Sequence, residues 1–242
     1  MGSGTYLALS GLQTRIEQLD RLSADIANAN TAGYKGQETT TDGSVRPTFD
    51  QTLKTAVDPT LGPVKIDFQT GTIKPTGRPL DFAINGSGFF VLDTPAGVQY
   101  TRNGSFNRRA DGVLVSSEDQ SPVEGVNGKP ITLPPSGSLS VDPDGTVRVD
   151  GAMVGQIKVV DFADYSKLQR ESASRFVPVG ETPTLVKTPT IAAGALEQSN
   201  VSVVDSMAQL VDLSRSFDSL NKGISVLLNQ VDSQAISQLG KP

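Results

Sequence analysis

Between Leu9 and Asn30 the apolar and small residues fall at alternating steps of three and four: Leu9, Leu12, Ile16, Leu19, Ser23, Ile26 and Asn30. That alternation is the heptad period, and it sets one edge of a helix against a partner helix along its length. The helix is expected to stop at Ala32-Gly33, where glycine accepts the left-handed cap conformation. The far end of the chain repeats the pattern at Val203, Met207, Leu210, Ser214, Phe217, Asn221, Ile224, Leu228, Val231 and Ala235. A chain with a heptad helix at each end is expected to bring its termini together.

The flanks of the second stretch modify that expectation. Val204 and Val211 lie on one side of the seam, and Leu213, Leu220 and Leu227 on the other. A two-stranded coil keeps those flanks charged, so this face is too wide for one partner helix. Ser23, Asn30, Ser214 and Asn221 dilute the seam, and Gly223 costs a helix interior about 1 kcal/mol against alanine. The pair is therefore expected to be weak alone, unstructured or self-associating in dilute solution, and completed by neighbouring subunits. The residues assigned to that assembly interface are Leu9, Leu12, Ile16, Leu19, Ile26, Val203, Met207, Leu210, Leu213, Phe217, Leu220, Ile224, Leu227, Leu228 and Val231. The plainer alternative is an amphipathic helix packed on its own domain.

Between the ends the period changes to two. Leu80, Phe82 and Ile84 alternate with other residues, and short apolar runs follow from Phe89 to Phe162. Asn85-Gly86, Asn103-Gly104, Asp111-Gly112, Asn127-Gly128 and Asp144-Gly145 punctuate them. Such pairs favour tight hairpins, because both residues tolerate positive φ. The fold class expected is α+β: long N- and C-terminal helices paired in a coiled-coil-like tube-wall domain, with a central antiparallel β domain. Residues 1–35 and 200–242 form the helical domain in this reading, 64–180 the β domain, and 36–63 and 181–199 connectors. Phe49, Leu53 and Val57 suggest a short amphipathic turn within the first connector. Asn200 and Ser202 are both candidates to cap the last helix.

The chain's chemistry is limited by what it lacks. Its 242 residues contain no cysteine and no histidine, which removes thiol nucleophiles, thiolate metal sites and the commonest general base. The net charge of −5 and the absence of a basic cluster argue against nucleic acid as a partner. No stretch is long and apolar enough to span a membrane, and the N-terminus is read as carrying no secretory signal. Asp142, Asp144 and Asp150 resemble half of a calcium loop, but the glycine is misplaced and no closing glutamate follows. The glycine-rich Asn85-Gly86-Ser87-Gly88 lacks the following helix that holds a phosphate. Asp81 and Asp93 are considered as paired carboxylates for glycoside cleavage, with nothing in the sequence to bring them together. No catalytic, cofactor-binding or metal-binding residue, and no small-molecule substrate, is assigned.

Three motifs carry a resemblance. The first runs from Leu9-Ser10-Gly11-Leu12 through Ala27-Asn28-Ala29-Asn30-Thr31-Ala32-Gly33-Tyr34-Lys35. The second is Leu80-Asp81-Phe82-Ala83-Ile84-Asn85-Gly86-Ser87-Gly88-Phe89-Phe90, continuing to Tyr100-Thr101-Arg102-Asn103-Gly104-Ser105-Phe106. The third joins Gly194-Ala195-Leu196-Glu197-Gln198-Ser199-Asn200-Val201 to Arg215-Ser216-Phe217-Asp218. Together they resemble the bacterial flagellar rod and hook proteins, the rod members before the hook and the proximal rod before the distal. Ser214-Arg215-Ser216-Phe217-Asp218 departs from the distal rod's usual pattern, and Ala24-Asp25 from the paired asparagines common in the family. The resemblance implies a non-enzymatic subunit of a hollow, torque-transmitting axial shaft, packed helically with copies of itself and with other rod proteins. It further implies type III export without cleavage and a place in the rod crossing the periplasm. It assigns Asn28, Asn30, Thr31, Gly33, Tyr34 and Lys35 to the helix end and the turn into the β body, a structural role. A secreted glycan-binding or phage-tail-like module is the competing reading from another class, and an envelope hydrolase a third.

Overall fold

The computed structural model describes residues 2–39 and 64–239; for helix residues 2–10, 220, 223–224 and 226–239 it describes the backbone alone. The Phe49–Val57 turn lies outside the described residues. Contacts divide the chain into two compact units. One comprises Met1–Ala27, Gln37–Lys65 and Ser202–Pro242, and the other Asn28–Gly36 and Ile66–Val201.

The first unit is built on helices α1 (Gly2–Ala27) and α2 (Val203–Leu239). Ser202 starts α2: its Oγ accepts from the Asp205 amide at 3.4 Å and its carbonyl from the Ser206 amide at 2.9 Å. α1 ends at Ala27 and gives way to hydrogen-bonded turns, Thr31 N to Asn28 O at 3.0 Å and Tyr34 N to Thr31 O at 3.3 Å. Gly33 follows with φ of +69°, a value that glycine reaches without the steric penalty of a Cβ.

The expected fold class is corrected here. Among the described residues two α-helices and one short 3-10 helix (Tyr165–Lys167) stand against seventeen strands, and no coiled-coil pair is formed. α1 and α2 touch, but the apolar seam does not close. Ile16 is 47% exposed, Met207 53% and Val204 77%. Leu12, Leu19, Ile26, Val203, Leu210, Leu213 and Phe217 are only half-buried. Among the described helix side chains those that are buried, Asp25 and Ser206, are polar. A coiled coil needs its seam residues lodged in holes of the facing helix. Small and polar residues at Ser23 and Ser214 interrupt this one, and a spacing count weighs them no less than leucines. The side chains of Leu9, Leu220, Ile224, Leu227, Leu228 and Val231 lie outside the description.

The second unit contains both hydrophobic cores. Its main sheet has six strands in the order Leu168–Ser172, Arg175–Pro178, Gly97–Thr101, Phe89–Thr94, Val159–Asp161 and Thr184–Leu185, every neighbouring pair antiparallel. Successive side chains of a strand point to opposite faces. Phe90 and Leu92 thus enter one core with Phe82, Phe106, Leu114 and Ile157, while Phe89 and Val91 enter the other with Tyr100, Phe162 and Phe176. Burial on both sides explains why Phe89-Phe90-Val91-Leu92 reads as an unbroken apolar run.

Residues 181–199, expected as connector, hold three strands. Thr184–Leu185 pairs with Val159–Asp161, Ile191–Ala193 with Phe82–Ile84, and Ala195–Glu197 with Ile73–Pro75. Alanines and a glutamate carry little strand signal on their own, so these segments are fixed by the partners they meet.

Candidate functional site

The antiparallel register that sets Glu197 opposite Ile73 turns the Glu197 side chain into the interior, where it is fully buried. Gly71 permits the approach. A Cβ there would lie 2.0 Å from the Gln198 carbonyl oxygen. From the other end of the chain, the Gly33 amide donates to the Glu197 carbonyl at 2.8 Å. Gly33 has no room for a side chain either, since a Cβ would stand 2.3 Å from the Asn103 nitrogen. Gly33 thus delivers Tyr34 and Lys35 into the body of the second unit, where both are buried.

Lys35 Nζ lies 2.5 Å from Glu197 Oε1 and donates to the Gln69 carbonyl at 2.7 Å. The Gly71 amide donates to the same carboxylate oxygen at 3.0 Å, and Arg102 Nη1 approaches Oε2 at 3.4 Å. One carboxylate therefore serves two buried cations and a backbone amide. Arg102 also lies over the Phe89 ring, 5.3 Å from its centroid. Burial pulls the Lys35 ammonium below its ordinary pKa; Glu197 opposes the shift and Arg102 adds to it.

A second layer fastens the same segment. Arg170 donates to the Lys35 carbonyl and stacks over the Tyr34 ring, 4.5 Å from its centroid. The Asn200 side chain accepts from the Gly36 amide at 2.8 Å and donates to the Asp67 carbonyl at 2.9 Å. Of the two candidate caps, then, Ser202 caps α2, while Asn200 stitches residue 36 to residue 67.

Of the signature residues, Gly33, Tyr34 and Lys35 lie in this junction. Asn28 and Thr31 are half-buried and joined by a 3.1 Å side-chain hydrogen bond, and Asn30 is exposed. Glu197 and Arg102 fall within the sequence motifs without a role of their own, and Arg170 lies outside every motif. Their signal was a lone charge set among residues that otherwise read as strand.

The carboxylates singled out for chemistry are occupied by structure. Asp81 accepts from Thr76 Oγ1 at 2.7 Å and pairs with Arg78 at 3.2 Å. Asp93 is exposed at the register position opposite Val98. Among the described residues no hydrogen bond or ion pair joins Asp81 to Asp93. Asp142 pairs with Arg148 at 2.7 Å, Asp144 accepts from the Thr146 amide at 2.9 Å, and Asp150 from the Ser138 amide at 2.8 Å. The junction itself has the chemistry of a fastening. Its charged groups face each other, and its largest members are shut off from solvent.

Three family models match the chain, and each match contains one member of the buried charge cluster. The flagella basal body rod protein model covers residues 6–35, ending on Lys35. The D1 domain model of the flagellar hook protein FlgE/F/G covers residues 83–149, which include Arg102. The C-terminal model of the flagellar basal body rod FlgEFG protein covers residues 192–227, which include Glu197. The flagellar basal-body rod protein FlgF of Mesorhizobium japonicum is 33% identical over 247 residues, spanning 99% of each chain. FlgF of Caulobacter vibrioides is 31% identical over 246 residues, 100% of this chain and 99% of the relative. The rod protein FlgG of Bacillus subtilis is 31% identical over 249 residues, 91% of this chain and 93% of the relative. A sequence likeness that runs nearly end to end, and whose matched segments converge on one buried charge cluster, means that this chain belongs to the flagellar basal-body rod protein family.

Proposed function

We propose that the chain acts without catalysis, as a building block of the proximal rod. It packs helically with copies of itself and with other axial proteins, so that the shaft passes torque by contact alone. As a rod-family protein it is a structural subunit of the flagellar basal body and associates with other rod proteins. In this reading it leaves the cytoplasm through the flagellar type III apparatus without cleavage and crosses the periplasm as part of the shaft.

The observation that carries the reading is the uncovered apolar surface of the two helices. Val204, Met207, Val211 and Ile16 all expose 46% or more of their surface, and apolar surface of this kind on neighbouring helical turns marks a site of association. The buried junction supports the same reading, because a subunit that bears load needs a core that does not open. FlgF relatives favour the proximal position; the FlgG likeness makes the distal rod the second reading.

Deleting residues 203–242 tests the proposal. The truncated chain is expected to keep the cooperative unfolding of its β unit and to be missing from purified basal bodies. Its presence there at the parent level would overturn the reading.

A further inference from the structure

A groove of about 240 Å³ opens in the β unit, away from the junction. Leu80, Leu133, Pro134 and Leu139 supply its apolar lining, and Arg78 and Arg108 stand at its rim. Both arginines are exposed. Arg78 is largely occupied, with Asp81 at 3.2 Å, the Phe106 carbonyl at 3.2 Å and the Asn107 side chain at 2.9 Å. Among the described residues the Arg108 side chain has one hydrogen bond, to the Pro135 carbonyl at 2.8 Å, and Arg108 is exposed, so guanidinium donors face solvent. Asp111, the nearest acid in sequence, is engaged by Arg109 at 2.7 Å. The rim therefore holds more positive than negative charge, although the chain as a whole carries −5.

The groove also adjoins an open strand edge. Leu139–Val141 ends its three-stranded sheet, with Thr146–Val149 on one side and, among the described residues, no strand on the other. The Asp142 amide donates to the Thr146 carbonyl at 2.9 Å and the Asp150 amide to the Ser138 carbonyl at 3.0 Å. Bonded and unbonded positions alternate along an antiparallel ladder. Leu139 and Val141 therefore turn their own N–H and C=O groups to the open side. Such an edge takes an added strand, with alternate side chains dropping into adjacent pockets.

We propose that this groove receives an extended segment of a neighbouring axial subunit, one carrying an aspartate or glutamate beside an aliphatic side chain. The aliphatic group fills the space between Leu80, Leu133 and Leu139. The carboxylate lies between Arg78 and Arg108, and the backbone pairs with Leu139 and Val141. A helix suits the site less well, because its own backbone groups are internally bonded and leave the edge unpaired. The proposal rests on the rod reading only for the identity of the neighbour.

Photo-crosslinking in cells tests it. The full chain carries Ser136→p-benzoylphenylalanine, on the exposed loop beside the groove; basal bodies are purified after irradiation and the joined peptide is identified by mass. The expected product is a peptide of another axial subunit with an acidic residue within two positions of Leu, Ile or Val. Arg108→Glu is expected to lower its yield about tenfold or more, and Arg108→Lys to retain it. Basal bodies that contain the chain but yield no such product overturn the proposal and leave the rod reading intact. So does a joined peptide without a carboxylate, or a yield indifferent to Arg108→Glu. Basal bodies lacking the parent chain overturn the rod reading and this proposal together.

Discussion

Lys35 Nζ and Glu197 Oε1 lie 2.5 Å apart, 162 positions apart in the chain, and neither side chain reaches solvent. The contact stitches the residues that follow α1 to those that precede α2 within one compact unit. Arg102, Gly71 and the Gly33 amide draw on the same glutamate, so the three contributing segments are held at one point.

That sharing ranks the substitutions. Lys35→Met leaves Glu197 with Arg102 as counterion, whereas Glu197→Leu strands two buried cations at once. Removing one partner of a buried pair typically costs about 3–5 kcal/mol. Lys35→Met is expected near the lower end of that range and Glu197→Leu at or beyond the upper end. Urea midpoints of the two variants check the order.

Gly104 makes a sharper steric test. A Cβ there would lie 1.7 Å from the Phe82 carbonyl oxygen, which belongs to the backbone and cannot swing aside. Gly104→Ala is expected to destabilise by at least about 3 kcal/mol. Gly77 has φ of +73° with nothing within 4 Å of its would-be Cβ, so Gly77→Ala is expected to cost only the conformational penalty of about 1–2 kcal/mol. Thermal unfolding of the pair separates collision from backbone strain.

Tyr165 predicts the alkaline behaviour. Burial, together with a 2.7 Å hydrogen bond to Asp161, pushes its hydroxyl up to about 12. An unfolded tyrosine ionises near about pH 10. Between those values the unfolded chain has released a proton that the folded chain still holds. The contribution is thus complete below the lower value and is lost as pH rises through the window. The phenolate absorbance of the parent minus that of Tyr165→Phe separates this group from the chain's other three tyrosines and should show Tyr165 ionising late. Tyr165→Phe should flatten the fall in stability over the same window.

Much of this arrangement is legible in the sequence, and the gaps have physical causes. The heptad spacing located the body of each helix, because period is a local property, but it carried the first one on to Ala32-Gly33, whereas α1 stops at Ala27. It did not reveal that Ile16 and Met207 stay exposed, because a seam closes only when both partners offer enough apolar depth. Asp111-Gly112 and Asp144-Gly145 do form hairpin turns, with glycine φ of 87° and 84°. Asn103-Gly104 looks alike in sequence but owes its glycine to the Phe82 backbone passing against it. The buried cluster was hidden for another reason. Lys35, Arg102 and Glu197 each read as an ordinary surface charge, and only the tertiary fold sets them side by side.

The central claim is that neighbours cover the apolar flank of α2. It is tested most directly by placing Val204→Asp and Met207→Asp together in the full-length chain and measuring its amount in purified basal bodies. Both side chains are exposed, at 77% and 53%, so the variant's own unfolding should shift by no more than about 1 kcal/mol. The account predicts a folded chain that is absent from the rod; a variant incorporated at the parent level would contradict it.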